Sequence, residues 1–158
     1  MNGVTIDSIL SKCLGKVFKG VYSFDQWRLL PITHPAAYVF NTMPQHENFG
    51  HWIGIYIYNS GKAVFFDTFG RTAEQLGFHM FLEKHSSMYT YNSKVVQNLM
   101  TLTCGQHVIL FLMHAKQLSK WNKLMKNDLL KNDNFVYEYF SRHFDVNTPF
   151  FPNIDMFL

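Results

Sequence analysis

The chain has 158 residues, of which 47% are hydrophobic, 17% aromatic and 16% charged. That length corresponds to one domain with room for a substantial core, and high aromatic content with low charge excludes an intrinsically disordered chain. Two cysteines exclude a disulfide-rich secreted scaffold, and a net charge of +3 permits contact with nucleic acid without requiring it.

Lysines outnumber arginines eleven to three, which favours non-directional charge attraction over bidentate base reading. No basic, apolar leader opens the sequence. The longest uncharged stretch, residues 95–115, contains Gln97, Asn98, Gln106, His107 and His114, so it does not read as a bilayer span. The expectation is a soluble intracellular protein in which Cys13 and Cys104 are reduced thiols.

Apolar residues at Ile6, Ile9, Leu10, Cys13 and Leu14 recur at helical intervals, so a helix is expected over residues 5–14 with Gly15 as its stop. Residues 17–24 read as an extended, aromatic segment. Residues 52–58 are apolar on both alternating faces, the pattern of a central strand covered on two sides. A turn signal at Asn59-Ser60-Gly61-Lys62 joins it to a second strand that ends at Asp67. A helix is expected from Arg71 or Thr72 through Phe81, with Gly77 weakening its interior, and a short strand over residues 89–92.

From Gly105 the run Val108 to Met113 is apolar all round, which places a helix in the middle of the domain. Lys116, Lys120, Lys123, Lys126 and Lys131 follow, and on a regular helix they would share an arc of roughly 140°. That segment reads as one amphipathic helix, or two joined near Asn127-Asp128. Residues 134–143 give another helical pattern, followed by a Pro-broken aromatic tail. The expected class is α+β: a single domain over residues 1–158, with a central, mostly antiparallel or mixed sheet flanked by helices.

Three residues stand out chemically, in the order His51, Asp67, Cys104. The hairpin turn pairs Trp52 or Ile53 with Asp67, so His51 lies within two residues of Asp67 across the ladder; whether the two share a face depends on register. A thiol at a helix N-terminus feels the positive end of the macrodipole, and a nearby imidazolium stabilises its thiolate further. Gly105, without a Cβ, would let a substrate carbonyl approach. The Cys104 N–H and a side-chain amide would serve a developing oxyanion; Gln97, Asn98 and Gln106 are the candidate amides. Cys104-x2-His107 and the pair His79 and His85 do not complete a four-ligand metal set, so no metal is expected.

Three local strings resemble the adenain family, the adenovirus-type cysteine endopeptidases. They are Phe49-Gly50-His51-Trp52-Ile53, Val64-Phe65-Phe66-Asp67-Thr68-Phe69-Gly70, and Gln97-x6-Cys104-Gly105 running into an apolar helix. Upstream segments at residues 18–22 and 37–42 extend the likeness over roughly residues 5–120. The resemblance implies an adenain-type fold in which His51 is general base and acid, Asp67 orients it, Cys104 attacks and Gln97 helps form the oxyanion hole. Asn41, Trp52 and Gly105 would lie at the substrate cleft. It further implies cleavage of viral precursor proteins of the capsid or core next to glycine, in the virion and host-cell nucleus, by a monomer without a membrane partner. No cofactor would be needed for the chemistry. DNA, gripped by Lys116, Lys120, Lys123, Lys126 and Lys131, and a peptide are the implied activators.

Two departures accompany the likeness. The family's usual Glu is Asp67 here, as is common in the related ubiquitin-like-protein proteases. The stretch from Tyr89 to Val96 also lacks the cysteine that tethers the family's activating peptide, so a peptide activator would be non-disulfide. A deubiquitinase or ubiquitin-like-modifier protease of the same clan, and a catalytically idle DNA- or capsid-binding module, are the alternatives.

Overall fold

Runs of β-branched and aromatic residues set the strands, because such side chains pack well on a pleated, covered surface. In chain order they are β1 (Phe18–Ser23), β2 (Ala36–Asn41), β3 (Trp52–Ile57), β4 (Lys62–Phe66) and β5 (Met88–Tyr91). The computed structural model describes residues 1–47 and 50–151, so Phe49 of the first string and residues 152–158 of the expected domain lie outside the described residues. The five strands form one sheet in the order β1-β2-β3-β4-β5. The three central strands are antiparallel to one another, while β1 runs parallel to β2 and β5 parallel to β4, so the sheet is mixed.

Helices cover both faces, and the molecule is α+β. Alternation along the strands divides the apolar side chains into two cores. On one face Ala37, Val39, Tyr56, Val64 and Phe66 pack with residues of α1 (Gly3–Leu14), α4 (Cys104–Met113), α5 (Leu118–Leu124) and α6 (Leu129–Phe144). On the other face Tyr38, Phe40, Ile53, Ile55 and Phe65 pack against Trp27, α2 (Ala73–Leu76) and α3 (His79–His85). As the apolar run Val108 to Met113 requires, α4 is buried along its length from Gly105 to Leu112. Gly54 lets it settle onto β3: a Cβ there would lie 3.1 Å from Val108 Cγ1.

Several expectations need correction. The helix expected from Arg71 or Thr72 through Phe81 is two helices, because Gly77 takes a left-handed conformation (φ 81°) that ends α2. The first helix starts at Gly3, where the Asn2 side chain caps it by accepting the Thr5 N–H at 2.9 Å. The lysine-bearing segment is a short 3₁₀ turn (Ala115–Gln117), then α5, then an extended link, then α6 capped by Asp128. Its lysines therefore do not share one helical arc. Among the described residues no helix is long and apolar enough to cross a membrane.

Candidate active site

The hairpin register settles which face His51 and Asp67 occupy. Gly54 pairs with Phe66, so continuing the ladder places His51 level with Phe69 and two positions from Asp67. Side chains at that diagonal offset lie on one face and within reach. The His51 backbone is fixed from β2: Thr42 N–H donates to its carbonyl at 2.9 Å, and its own N–H donates to Thr42 Oγ1 at 3.2 Å. His51 Nε2 then donates to Asp67 Oδ1 at 2.5 Å, with side-chain exposures of 17% and 0%.

The loop after β4 turns back onto its own carboxylate. Gly70 has φ 68° and donates to the Asp67 carbonyl at 3.0 Å; a Cβ there would lie 2.6 Å from the Ser93 carbonyl oxygen. That turn brings Arg71 alongside, whose N–H and Nε donate to Asp67 Oδ2 at 3.0 and 2.9 Å while Nη2 reaches Oδ1 at 3.3 Å. Between them Phe69 stacks on the His51 ring, with centroids 5.0 Å apart. Asn92, just past β5, secures the same residue from its backbone: its Oδ1 accepts the Asp67 N–H at 3.0 Å and its Nδ2 donates to the Asp67 carbonyl at 2.9 Å.

Cys104 is the first residue of α4, and its acidity is influenced by the His51 ring and the Trp52 backbone N–H. With Nε2 bound to Asp67, Nδ1 is the ring nitrogen left for the sulfur. Burial alone would favour the uncharged form of each group. In His51 the hydrogen bonds to Asp67 and Cys104 outweigh burial and raise its pKa to about 9. In Asp67 burial is outweighed by His51 and Arg71, which lower its pKa to about 2. In Cys104 burial is outweighed by the hydrogen bond and charge of His51 and by the Trp52 N–H, so the thiol is more acidic than usual. These directions are mutually consistent: His51 is held toward its charged form, Asp67 toward its carboxylate, and the Cys104 thiol is more readily ionised beside them. Such a set can supply a nucleophile at neutral pH and a proton to a leaving group.

The other expected site residues are placed as follows. Gln97 is buried; its Oε1 accepts from the Thr68 hydroxyl at 2.7 Å and its Nε2 donates to the Thr101 carbonyl at 2.9 Å. Its remaining amide hydrogen has only a long contact, 3.4 Å, with Thr101 Oγ1. Gln106 points away to Thr148 Oγ1 at 2.9 Å, and Asn98 Oδ1 accepts the Met100 N–H at 2.9 Å. Asn41 and Trp52 face each other at the ends of β2 and β3 and line a cleft of about 740 Å³ together with Gly50 and Met1. Gly50 has to lack a side chain, since a Cβ would fall 1.7 Å from Asn41 Oδ1. Trp52 Nε1 donates to the Met1 carbonyl at 3.0 Å.

At Gly105 a Cβ would lie 3.2 Å from Met1 Cβ and 3.4 Å from Ile6 Cδ1, so its smallness serves packing against the N-terminal segment and α1. The lysines are exposed but dispersed: Lys116 on the 3₁₀ turn, Lys120 and Lys123 on α5, Lys126 in the link and Lys131 on α6. Lys126 Nζ donates to the Lys123 carbonyl at 2.9 Å, and Lys131 lies 3.7 Å from Asp128.

Sequence reasoning missed Arg71, Asn92, Thr68 and Asp133. Only Arg71 carried a local signal, a cation four residues after the acid and just past a turn-forming glycine. His107, weighed as a metal ligand, instead donates from Nε2 to Asp133 at 2.8 Å. Among the described residues no cluster of three or more His, Cys, Asp or Glu side chains is arranged to hold a metal. No family model matches the chain, and no curated protein matches it significantly.

Proposed function

We propose that the protein is a cysteine endopeptidase of adenain type, with Cys104 as nucleophile, His51 as general base and acid, and Asp67 as the orienting acid. The observation that carries this reading is the hydrogen bond from His51 Nε2 to the buried Asp67 carboxylate, with Cys104 at the head of α4 and the acidities of His51 and Cys104 acting on each other. In the proposed path the Cys104 thiolate attacks the scissile carbonyl. Charge developing on the oxygen is met by the first amides of α4, which have no acceptor within the helix, and by the Gln97 carboxamide. His51 Nδ1–H passes its proton to the departing amine, leaving a thioester on Cys104. A water then gives a proton to His51 as it attacks the thioester, and release of the acid product restores the ion pair.

The resemblance supplies the substrate class: precursor proteins of a viral capsid or core, cut next to glycine, in the virion and host-cell nucleus. DNA and a non-disulfide peptide are proposed activators. DNA contact through the dispersed lysines would show as a salt-dependent stimulation.

The test is cleavage of a panel of glycine-containing peptides and of ubiquitin-like conjugates ending in Gly-Gly, with and without DNA, by wild type and Cys104→Ala. Cleavage of the peptides by wild type alone is the expected result. Preference for the conjugates would move the protein to the ubiquitin-like-modifier proteases. Identical behaviour of wild type and Cys104→Ala, with Cys104 alkylating no faster than Cys13, would remove the enzyme reading.

A further inference from the structure

Beneath the site a second carboxylate gathers the segment that carries Gln97 and delivers Cys104. Asp133, on α6, has no solvent exposure. Its Oδ2 accepts the Asn98 N–H at 2.9 Å and lies 3.0 Å from the Thr101 hydroxyl, which is shared with the Asn98 carbonyl at 2.9 Å. Its Oδ1 accepts the Thr103 hydroxyl at 2.7 Å and His107 Nε2 at 2.8 Å. These donors bracket the two residues that matter: Asn98 follows Gln97, Thr103 precedes Cys104, and His107 lies one turn into α4.

Residues 97–103 have no regular secondary structure, and their outer side is bare, with Leu99 81% and Met100 65% exposed. An irregular loop of that kind does not fix a carboxamide by itself. A buried carboxylate with both oxygens filled by directed donors does, and such a group specifies geometry more than it adds net stability. Thr103, at the N-cap of α4, does not cap the helix with its side chain; the hydroxyl goes to Asp133 instead. From Asp133 the hydrogen bonds continue through Thr101 to Gln97 Nε2, and from Gln97 Oε1 to the Thr68 hydroxyl, one residue after Asp67.

We infer that Asp133 is a positioning residue for acyl transfer. It staples loop 97–103 to α6, and so sets where the loop holds Gln97 and delivers the Cys104 N–H that would meet the oxyanion. This rests on the protease reading above. Asp133 makes its hydrogen bonds to Asn98, Thr101, Thr103 and His107 and none to His51 or Asp67, so its loss should impair stabilisation of the oxyanion while leaving the Cys104–His51 pair in place.

The experiment compares wild type with Asp133→Asn, Thr103→Val and Thr103→Ser. Two readouts are taken: kcat and KM on a cleaved peptide, and the pH profile of Cys104 alkylation by iodoacetamide, which needs the thiolate but no oxyanion hole. Asp133→Asn is expected to lower kcat roughly 100-fold, the scale of one lost oxyanion donor. KM should stay within about threefold of wild type, as expected for an interaction made only in the transition state. The alkylation profile should not move. Thr103→Val should lower kcat in the same sense, and Thr103→Ser, which keeps the hydroxyl, should retain it.

Unchanged kcat in Asp133→Asn and Thr103→Val, or a loss of kcat matched by an equal loss of alkylation reactivity, would overturn the inference. If Asp133→Asn does not fold, the Thr103→Val and Thr103→Ser pair decides. A wild type that cleaves no peptide removes the protease reading itself, an outcome distinct from an active wild type with indifferent variants.

Discussion

Replacing Asp67 by Asn removes the charge that sustains the His51 imidazolium while preserving the size of the side chain. The His51 pKa stands at about 9 against an ordinary 6.5, a difference of about 2.5 units or roughly 3 kcal/mol net of the cost of burial. That stabilisation is shared between the Asp67 carboxylate and the Cys104 thiolate. If Asp67 supplies half, its loss weakens the imidazolium by roughly 1–2 kcal/mol, on the order of tenfold in the population of the ion pair at a given pH. The assay is alkylation by iodoacetamide between pH 5 and 9, followed by mass spectrometry. Cys13 serves as an internal reference, because partial burial raises its pKa. Wild-type Cys104 should label well below the pH at which Cys13 does. In Asp67→Asn the labelling rate at pH 6 should fall about tenfold or more, and the profile should move toward that of Cys13. A variant that labels like wild type across this range would refute the reasoning, because the thiolate would then owe nothing to the His51–Asp67 pair.

Four further outcomes are expected. Gly70→Ala forces a left-handed residue with a side chain and a 2.6 Å approach to the Ser93 carbonyl oxygen, so thermal unfolding should show a loss of at least about 1–3 kcal/mol. Peptide cleavage by that variant should fall as well, because Arg71 is displaced from Asp67. Asn92→Ala leaves the Asp67 N–H without its side-chain acceptor and should cost about 1–3 kcal/mol, read from denaturant midpoints. Asp67→Glu adds a methylene at a side chain with no exposure and should cost about 1–3 kcal/mol by overpacking, with activity reduced.

Stability should also decline below about pH 6.5. Burial, with Lys84 and His34 nearby, lowers the His85 pKa to about 4, so the unfolded chain binds the extra proton between those values: stability falls as pH drops from 6.5 toward 4, and the loss is complete below 4. Above 6.5 two contributions oppose each other: that of His51, raised to about 9, is complete below 6.5 and is lost as pH rises through 9, while the lowered Cys104 thiol favours the folded state as pH rises. Urea titrations of His85→Phe should flatten the acid limb.

The parts of the site that lie close in sequence or on one ladder could be read without coordinates. Turn chemistry at residues 59–62 fixes the β3–β4 hairpin, and the hairpin carries His51 to Asp67. An apolar run with no polar face places α4 in the interior with Cys104 at its head. What escaped reading depends on segments far apart in the chain. Asn92 reaches Asp67 only because β5 lies beside β4, a parallel pairing with no local signature. Asp133 reaches Thr103 and His107 only because α6 packs under α4. Gly105 is expected at the cleft because its neighbour is Cys104, and what presses on it, Met1 and Ile6, is again distant in the chain. The lysine arc failed for a local reason: the chain is extended at Met125, so spacing on an ideal helix had no bearing beyond that point.

The two buried carboxylates differ in the character of their partners, and that difference separates what each can do. Asp67 is met by Arg71 and by a His51 whose pKa is raised, so it faces groups that carry positive charge. Its hydrogen bonds are charge-assisted, and changes there are transmitted to the proton affinities of His51 and Cys104. Asp133 is met by two hydroxyls, a backbone amide and His107, in which burial outweighs the pull of Asp133 and lowers the pKa, so the ring is neutral near pH 7. The groups that shift the Cys104 thiol are His51, the Trp52 N–H and the chain's N-terminal amine against burial, and Asp133 is not among them. What it imposes is direction, through bonds whose geometry is narrow and whose breakage would leave a charge stranded in the core. One acid therefore bears on the charge of the Cys104 sulfur, and the other on the shape of the loop that leads to it.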